Sequence, residues 1–308
     1  MSRPLVIGSR GSKLALWQAE QAKARLIELH PEIDIRVEII KTTGDVKTDP
    51  LSVIGGKGVF TKELEDALLD GRIDLAVHSL KDLPTILPDG LGITAICKRD
   101  DPRDALVVRD EIKARAGSIL NLPEQAVVGT SSQRRVAQLK SLRSDVVVKD
   151  VRGNVDTRLR KLDEGQYDAL ILASAGLRRL ELEDRINAAI SMDEMVPAVG
   201  QGAIAIETRA DDEFTVAMTS GLDHRETRLA CLAERAFLRS LGGGCQFPIA
   251  GHAIIENEEM TLVGLVAMPD GSKILRDQLS GPQNNAEEIG SSLAARLIAR
   301  GANSLLNS

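Results

Sequence analysis

At 308 residues, 43% of them apolar, the chain is too long for one ordinary hydrophobic core and has material for two or three. Its 2% aromatic share leaves little on which the bases of single-stranded nucleic acid could stack, and a formal net charge of -6 works against general polyanion binding. No apolar run approaches the roughly 18 residues of a membrane span, no leader-like stretch precedes the first strand, and three cysteines without CxxC spacing indicate neither a disulfide framework nor a zinc site. The expectation is a cytoplasmic protein with no metal, no nucleic-acid partner and no membrane partner.

Residues 5–8 read as a strand, and a helical pattern carrying Leu14, Leu16 and Trp17 runs from Ser12 to about residue 29. Between them Ser9-Arg10-Gly11-Ser12 aims free N–H groups, the positive end of the helix dipole and a guanidinium at one spot. That suits an anion, and a plain N-cap beside a solvated arginine fits equally well. Residues 33–41 alternate as a strand. The irregular stretch after it, 42–60, is longer than ordinary connections and reads as a mobile lid, with Lys57 and Phe60 as its candidate contacts. Gly56-Lys57 fails as a P-loop because Gly58 stands where Ser or Thr must follow the lysine.

A helix over 61–69 precedes a strand over 73–80 that ends at Lys81-Asp82-Leu83-Pro84. Open α/β sheets bind ligands at the carboxyl ends of their strands, which singles out Asp82; a turn-forming Asp before Pro is the alternative. The strand over 92–97 carries Cys97, read as a core thiol, and the charged run from Lys98 to Asp104 reads as an interdomain hinge. Beyond it the opening pattern recurs: a strand at 126–129, the polar elbow Thr130-Ser131-Ser132, and a helix entered through Gln133-Arg134-Arg135. Two similar halves are expected, each aiming a helix start at a common cleft. The strand over 146–151 leads to Arg152-Gly153-Asn154 and a helix with Arg158 and Arg160, and the strand over 169–173 leads to Arg178 and Arg179. Nine arginines fall between residues 134 and 185, several at strand-to-helix junctions, a placement better explained by a polyanionic ligand than by solvation.

Val199-Gly200-Gln201-Gly202-Ala203-Ile204-Ala205 contains a relaxed dinucleotide fingerprint, but residues 203–207 alternate as a strand, so no helix start faces a pyrophosphate. It reads as the crossing back into the first domain, with Gln201 toward the cleft. Helices at 211–220 and 224–241 come next, the second carrying Cys231 as another core thiol and delivering the chain to Leu241-Gly242-Gly243-Gly244-Cys245-Gln246-Phe247-Pro248. The glycines mark a helix stop and also leave the Cys245 thiol uncrowded, so a structural turn and a presented reactive group both fit. Strands at 248–255 and 260–268, a hairpin turn at 269–272 and a helix at 285–300 make a small α+β third domain.

These stretches together closely resemble the porphobilinogen deaminase, or hydroxymethylbilane synthase, family. The matching segments are Ser9-Arg10-Gly11-Ser12-Lys13-Leu14-Ala15-Leu16-Trp17-Gln18, Gly55 to Phe60, Val77-His78-Ser79-Leu80-Lys81-Asp82-Leu83-Pro84, Gly129 to Arg135, Arg152-Gly153-Asn154-Val155-Asp156-Thr157-Arg158, Pro197 to Ala203, and Gly243 to Pro248. They run in the family's order along nearly the whole chain; Phe247 stands where a smaller aliphatic is usual.

The resemblance implies an α/β protein of three domains: 1–100 plus 203–220, 103–199, and 223–308. The first two are expected to have the type II periplasmic-binding-protein fold with the cleft between them, the third a small α+β fold. It further implies that four porphobilinogen molecules are joined head to tail with loss of ammonia, and that hydroxymethylbilane is passed on to uroporphyrinogen-III synthase by a monomeric enzyme. A dipyrromethane cofactor held by a thioether to Cys245 would prime the reaction. Asp82, with Lys81 beside it, matches the family's catalytic position. Arg10, Arg134, Arg135, Arg152, Arg158 and Arg179 match its carboxylate-binding arginines, with Ser12, Ser79, Thr130 and Ser132 as neutral donors and Gln18, Lys57, Phe60 and Gln201 as cleft or lid candidates. The chemistry is consistent with these types: a six-ring chain bears about twelve carboxylates, each wanting a donor once desolvated, and guanidinium forks match carboxylates better than ammonium does. The two-lobed expectation also admits a dicarboxylate-binding protein without catalysis, which leaves the loop thiol without a purpose.

Overall fold

Short apolar runs alternate with helical patterns through two thirds of the chain, and in the computed structural model they build mixed parallel and antiparallel sheets flanked by helices. The structure describes residues 3–43, 58, 60–113, 117–244 and 247–306. Leaving short 3-10 turns aside, the order begins β1 (Leu5–Ser9), α1 (Lys13–Leu29), β2 (Ile35–Ile39), α2 (Lys62–Leu69), β3 (Leu75–Ser79) and β4 (Leu91–Ile96). Next come β5 (Asp104–Val108), β6 (Val127–Gly129), α3 (Gln133–Leu142), β7 (Val147–Lys149), α4 (Val155–Asp163), β8 (Ala169–Ala173), α5 (Ser174–Arg179) and β9 (Ala188–Ala189). The chain ends with β10 (Ile204–Arg209), α6 (Glu213–Thr219), α7 (Arg225–Ser240), β11 (Ile249–Glu256), β12 (Glu259–Ala267), β13 (Ile274–Pro282), α8 (Ala286–Ala299) and α9 (Ala302–Leu306).

Residues 1–100 with 203–229 form one compact unit, and residues 101–202 with 230–308 form the other. In the first, the sheet order is β2-β1-β3-β10-β4, with β1 parallel to β2 and β3, and β10 antiparallel to both of its neighbours. Its inner strands β1 and β3 are largely buried, as a sheet covered on both sides requires, while the edge strand β2 is mostly exposed. Leu5, Ile7, Leu75, Val77 and Ile206 pack against Ala19, Ala22 and Leu26 of α1, while Ala76 and Ile73 meet Leu64, Ala67 and Leu68 of α2. Ser12 starts α1 as the sequence suggests, its hydroxyl accepting from the Ala15 N–H at 3.3 Å.

The second unit repeats the plan as β7-β6-β8-β5-β9, with β6 parallel to β7 and β8, and β5 antiparallel. In both sheets the antiparallel strand is the one that enters after the chain has crossed from the other unit, β5 here and β10 there. The repeat extends to single residues. Gly8 in β1 and Gly129 in β6 both lie under a side chain, where an added Cβ would stand 2.3 Å from Ile73 Cδ1 and 2.5 Å from Leu170 Cδ2 respectively. This shared order is that of the type II periplasmic-binding fold. The third domain lies in the same compact unit as the second lobe: β11, β12 and β13 form an antiparallel meander, covered by Ile289, Leu293 and Leu297 of α8. It packs on α3 through Ala137, Val196, Ala250, Leu265 and Ala267.

Three expectations need adjustment. The run from Lys98 to Asp104 contains the crossing between units, after Asp100, but Asp104 opens the buried strand β5 and is fully buried. In sequence, a charge at the head of an apolar strand looks the same as one in a solvated linker. The hairpin turn at 269–272 leads into a third strand, β13, and a short helix α9 follows the last expected one. Of the lid over 42–60, only Thr42, Thr43, Gly58 and Phe60 are described, Thr42 being buried; Lys57 and most of that stretch lie outside the described residues.

Candidate functional site

In the first unit the chain leaves β1 for β2 on one side, while β3 lies on the other. The carboxyl ends of β1 and β3 therefore flank the point where strand order reverses, which is where open α/β sheets leave a crevice. A pocket with about 400 Å3 of space, part of it open to solvent, lies there. Arg10 and Ser12 come from the β1–α1 elbow, Gln18 from α1, Phe60 and Thr61 from the start of α2, His78 and Ser79 from β3, and Asp82 from the 3-10 turn that follows. That turn is held by Leu80 N–H to Ala203 C=O at 3.0 Å and Leu83 N–H to Leu80 C=O at 3.1 Å, leaving Asp82 exposed. Lys81 shares the turn without lining the pocket.

Two contacts orient donors. The buried Gln18 amide donates to Ser79 Oγ at 2.9 Å, so the hydroxyl hydrogen is left to point elsewhere. The Arg10 guanidinium carbon stands 4.3 Å from the centre of the Phe60 ring, a cation–π contact that fixes the plane of the fork. One wall thus carries a guanidinium and hydroxyl donors and also a carboxylate, so it can take an anionic substituent and an N–H of the same ring.

In the second unit the polar elbows lie at the carboxyl ends of the parallel strands β6, β7 and β8, on one edge of the sheet. Thr130 is buried, its hydroxyl accepting from Ser132 N–H at 3.3 Å, and Ser132 occupies the N-cap position of α3. Arg152 follows β7, and Arg158 on α4 donates to Gly153 C=O at 2.8 Å. The buried Arg179, in the last turn of α5, reaches Gly202 C=O at 2.5 Å.

Arg134 and Arg135 are buried, and the carboxylate they hold is the protein's own. Asp104 accepts from Arg134 at 2.7 and 3.2 Å, from Arg135 at 2.8 and 3.1 Å, and from the buried Gln201 amide at 2.9 Å. Arg134 also donates to Val196 C=O, and Arg135 to Ile171 C=O. Burial alone would push the Asp104 carboxyl up, but the two guanidiniums outweigh it and hold the group well below the usual carboxylate range. Burial in turn lowers Arg134, with Arg135 adding to the fall and Asp104 opposing it. One carboxylate against two guanidiniums leaves a positive charge at this edge of the sheet. Asp104 is the residue that sequence reasoning missed; the apolar run Ala105-Leu106-Val107-Val108 behind it was the available sign of a buried strand.

The approach to Cys245 ends helix α7 in a Schellman motif. Gly242 takes a φ of +65° and donates to Arg239 C=O at 3.0 Å, and Gly243 donates to Leu238 C=O at 3.1 Å. Cys245 itself lies outside the described residues.

Two family models match the chain. The description "Porphobilinogen deaminase, dipyromethane cofactor binding domain" covers residues 5–217, and "Porphobilinogen deaminase, C-terminal domain" covers residues 228–299. The chain belongs to the porphobilinogen deaminase family. Porphobilinogen deaminases are transferases of tetrapyrrole biosynthesis, and dipyrromethane is the cofactor of the larger matched domain. Among solved structures, the chain is similar to the second substrate binding domain of a putative amino acid ABC transporter from Streptococcus pneumoniae, with 13% identity over 78% of this chain and 95% of that one and a TM-score of 0.44. It is also similar to the BenM effector binding domain with its effector benzoate, with 17% identity over 71% and 90% and a TM-score of 0.43. Likenesses at this level bear on neither fold nor ligand. Among the described residues no helix is long and apolar enough to cross a membrane, and no group of three or more His, Cys, Asp or Glu side chains could hold a metal ion.

Proposed function

We propose that this chain is a hydroxymethylbilane synthase that joins four porphobilinogen molecules head to tail, releasing ammonia at each step. The observation that carries the reading is the sharing of one pocket by Arg10 and Asp82 at the β1/β3 reversal point, with Ser12 and Ser79 beside them. This donor set fits a pyrrole bearing an acetate and a propionate, whether of the substrate or of the dipyrromethane. When bound, the cofactor supplies the free pyrrole α-carbon on which the chain is extended.

Arg10, Ser12 and the Gln18-oriented Ser79 hold carboxylates and fix the ring. Asp82 faces the pyrrole N–H and stabilises the positive charge that develops on the ring as ammonia departs, and it exchanges a proton there. Lys81 keeps the turn electrostatically balanced. At the edge of the second sheet Thr130, Ser132, Arg152, Arg158 and Arg179 bind further carboxylates, and Arg134 and Arg135 offer the N–H groups that Asp104 and the Val196 and Ile171 carbonyls do not occupy. Gln201 works with them by steadying Asp104, Lys57 and Phe60 cover the substrate, and Cys245 tethers the cofactor through a thioether. The enzyme acts as a cytoplasmic monomer and passes its product to uroporphyrinogen-III synthase.

Intact mass spectrometry combined with a product assay tests this reading. The purified protein should exceed its sequence mass by two deaminated pyrrole units, and Cys245→Ser should return to the sequence mass with no hydroxymethylbilane formed. An unmodified wild type with full activity refutes the tether. Asp82→Asn should keep the added mass and lose about 10²–10⁴ in kcat, the range for a positioned acid–base group; near-normal turnover removes Asp82 from the chemistry.

A further inference from the structure

Behind the pocket, on the α2 face of the first sheet, three ionisable side chains sit in an apolar interior. Ala205 lies opposite His78 and Glu207 opposite Ala76 in the antiparallel β3–β10 pair, so His78 and Glu207 share one face, a diagonal step apart. Glu65 descends onto that face from α2, next to the fully buried Leu64 and near Leu68. Glu207 is fully buried, and His78 and Glu65 are 5% and 6% exposed. His78 Nε2 is 3.0 Å from Glu207 Oε2, yet the pair is not aligned for a hydrogen bond. Neither His78 Nε2, either Glu207 oxygen nor Glu65 Oε1 has a hydrogen-bond partner among the described residues.

Such a group of polar atoms is costly to bury unless its charge can be balanced from within. Burial pushes the Glu65 carboxyl up, the Thr61 hydroxyl draws it down, Glu207 pushes it up again and His78 draws it down, with Asp66 adding a last upward push. With a neutral imidazole and two carboxylates the cluster carries a net charge of -2, so two protons shared among the three groups bring it to zero. His78 is also part of the pocket wall, together with Arg10 and Asp82, so the cluster reaches from the closed interior to the site.

We infer that His78, backed by Glu207 and Glu65, is a second proton-exchanging group of this site. The inference rests on the condensation reaction proposed above. In each cycle the aminomethyl C–N bond breaks with its electron pair passing to nitrogen, which leaves as ammonia. A new C–C bond forms from a pyrrole α-carbon, whose hydrogen must then depart as a proton. His78 accepts that proton as a neutral imidazole and passes it to the ammonia released earlier in the cycle, which diffuses away as ammonium. Glu207 faces the imidazolium during its lifetime, and Glu65, whose carboxyl burial pushes up, is the second acid of the cluster. Glu207 and Glu65 are positioning residues in this scheme.

The test pairs ring-nitrogen NMR of holoenzyme carrying 15N-histidine, with His78 assigned by its loss in His78→Gln, with the pH profile of kcat/KM for porphobilinogen. In Glu207→Gln the acid limb of the profile and the pH midpoint of the His78 ring signals should both move down together, since an opposite charge has been removed. Glu65→Gln, which imitates the protonated acid, should leave both near wild type. If Glu207→Gln does not fold, wild type decides alone: the His78 midpoint must coincide with the acid limb. An active wild type whose acid limb ignores His78 or Glu207 overturns this role and leaves the reaction standing, whereas a wild type that consumes no porphobilinogen overturns both.

Discussion

Replacing Asp104 by Asn tests whether the arginines at the head of α3 are organised from within. The substitution keeps size and one carbonyl oxygen, but it removes the charge that two buried guanidiniums share and turns an amide N–H₂ toward one of them. Five hydrogen bonds converge on the Asp104 carboxylate, from Arg134, Arg135 and Gln201, and the residue has no solvent access. Breaking a buried pair by removing one partner costs about 3–5 kcal/mol, because the other charge is left uncompensated. In hydrogen exchange read by mass spectrometry, that loss corresponds to about 10²–10⁴-fold weaker protection, at 1.4 kcal/mol per factor of ten. It should appear in peptides from β5, α3 and β8, while peptides from α1 and β1 of the other unit stay as in wild type. The effect has a pH signature. The folded carboxyl is held below its unfolded value of about 4, so its contribution is present above that pH and fades as pH falls toward the folded value. The gap between wild type and Asp104→Asn should therefore be widest at neutral pH and narrow below about pH 4. A loss of protection under about tenfold, or one spread equally over both units, would show that Arg134 and Arg135 do not depend on this carboxylate.

Gly129→Ala would place a Cβ 2.5 Å from Leu170 Cδ2 and 2.9 Å from the Tyr167 ring; overpacking of this kind costs about 1–3 kcal/mol, and an unchanged urea midpoint would mean the sheet relaxes freely. Asp212 caps α6 through Thr215 N–H and pairs with Arg209 at 2.7 Å and Arg3 at 3.0 Å. Burial raises its carboxyl, but the Thr215 N–H and the two guanidiniums hold it below the usual range. Asp212→Asn keeps a capping side chain and loses only the charge, so its Tm should trail wild type at neutral pH and rejoin it below about pH 4; an equal gap at both pH values would assign the effect to the cap.

Local signals carried much of the fold. The helix from Ser12 to Leu29 was legible because a capping serine and an apolar stripe agree, and the stop before Cys245 because glycines at 242 and 243 can close a Schellman motif. The strand Ala169–Ala173 was legible as an apolar run bounded by polar residues. Arg10, Ser12, Gln18, Phe60, Ser79 and Asp82, all marked from sequence, line one pocket, because elbows at the carboxyl ends of neighbouring parallel strands converge without long-range information. What a sequence does not display is the direction of a side chain at a helix start. Arg134 and Arg135 look alike and exposed on paper, and both turn inward because a carboxylate from a strand thirty positions upstream waits there. Asp104 was missed for the complementary reason: it closes a run with five other charged residues and a proline, and only the apolar residues 105–108 after it mark it as the one that the sheet buries.

The two lobes show one topology used with opposite electrostatics. In the first, the strand next to the reversal point, β3, ends in Ser79 and a turn that exposes Asp82; in the second, its counterpart β8 ends in Ser174 and a short helix whose last turn carries Arg178 and Arg179. The elbow after the first strand carries a single arginine, Arg10, in one lobe, and Arg134 and Arg135 at the helix start in the other. A shared backbone plan offers both lobes the same anion-favouring helix starts, so the difference comes from side chains. The first lobe adds a carboxylate, which a purely anion-binding site would avoid because it repels the ligand; the second adds guanidiniums and buries the one carboxylate that organises them. That division is what the condensation proposed above would require, with many fixed negative charges held while a positive charge develops at one carbon.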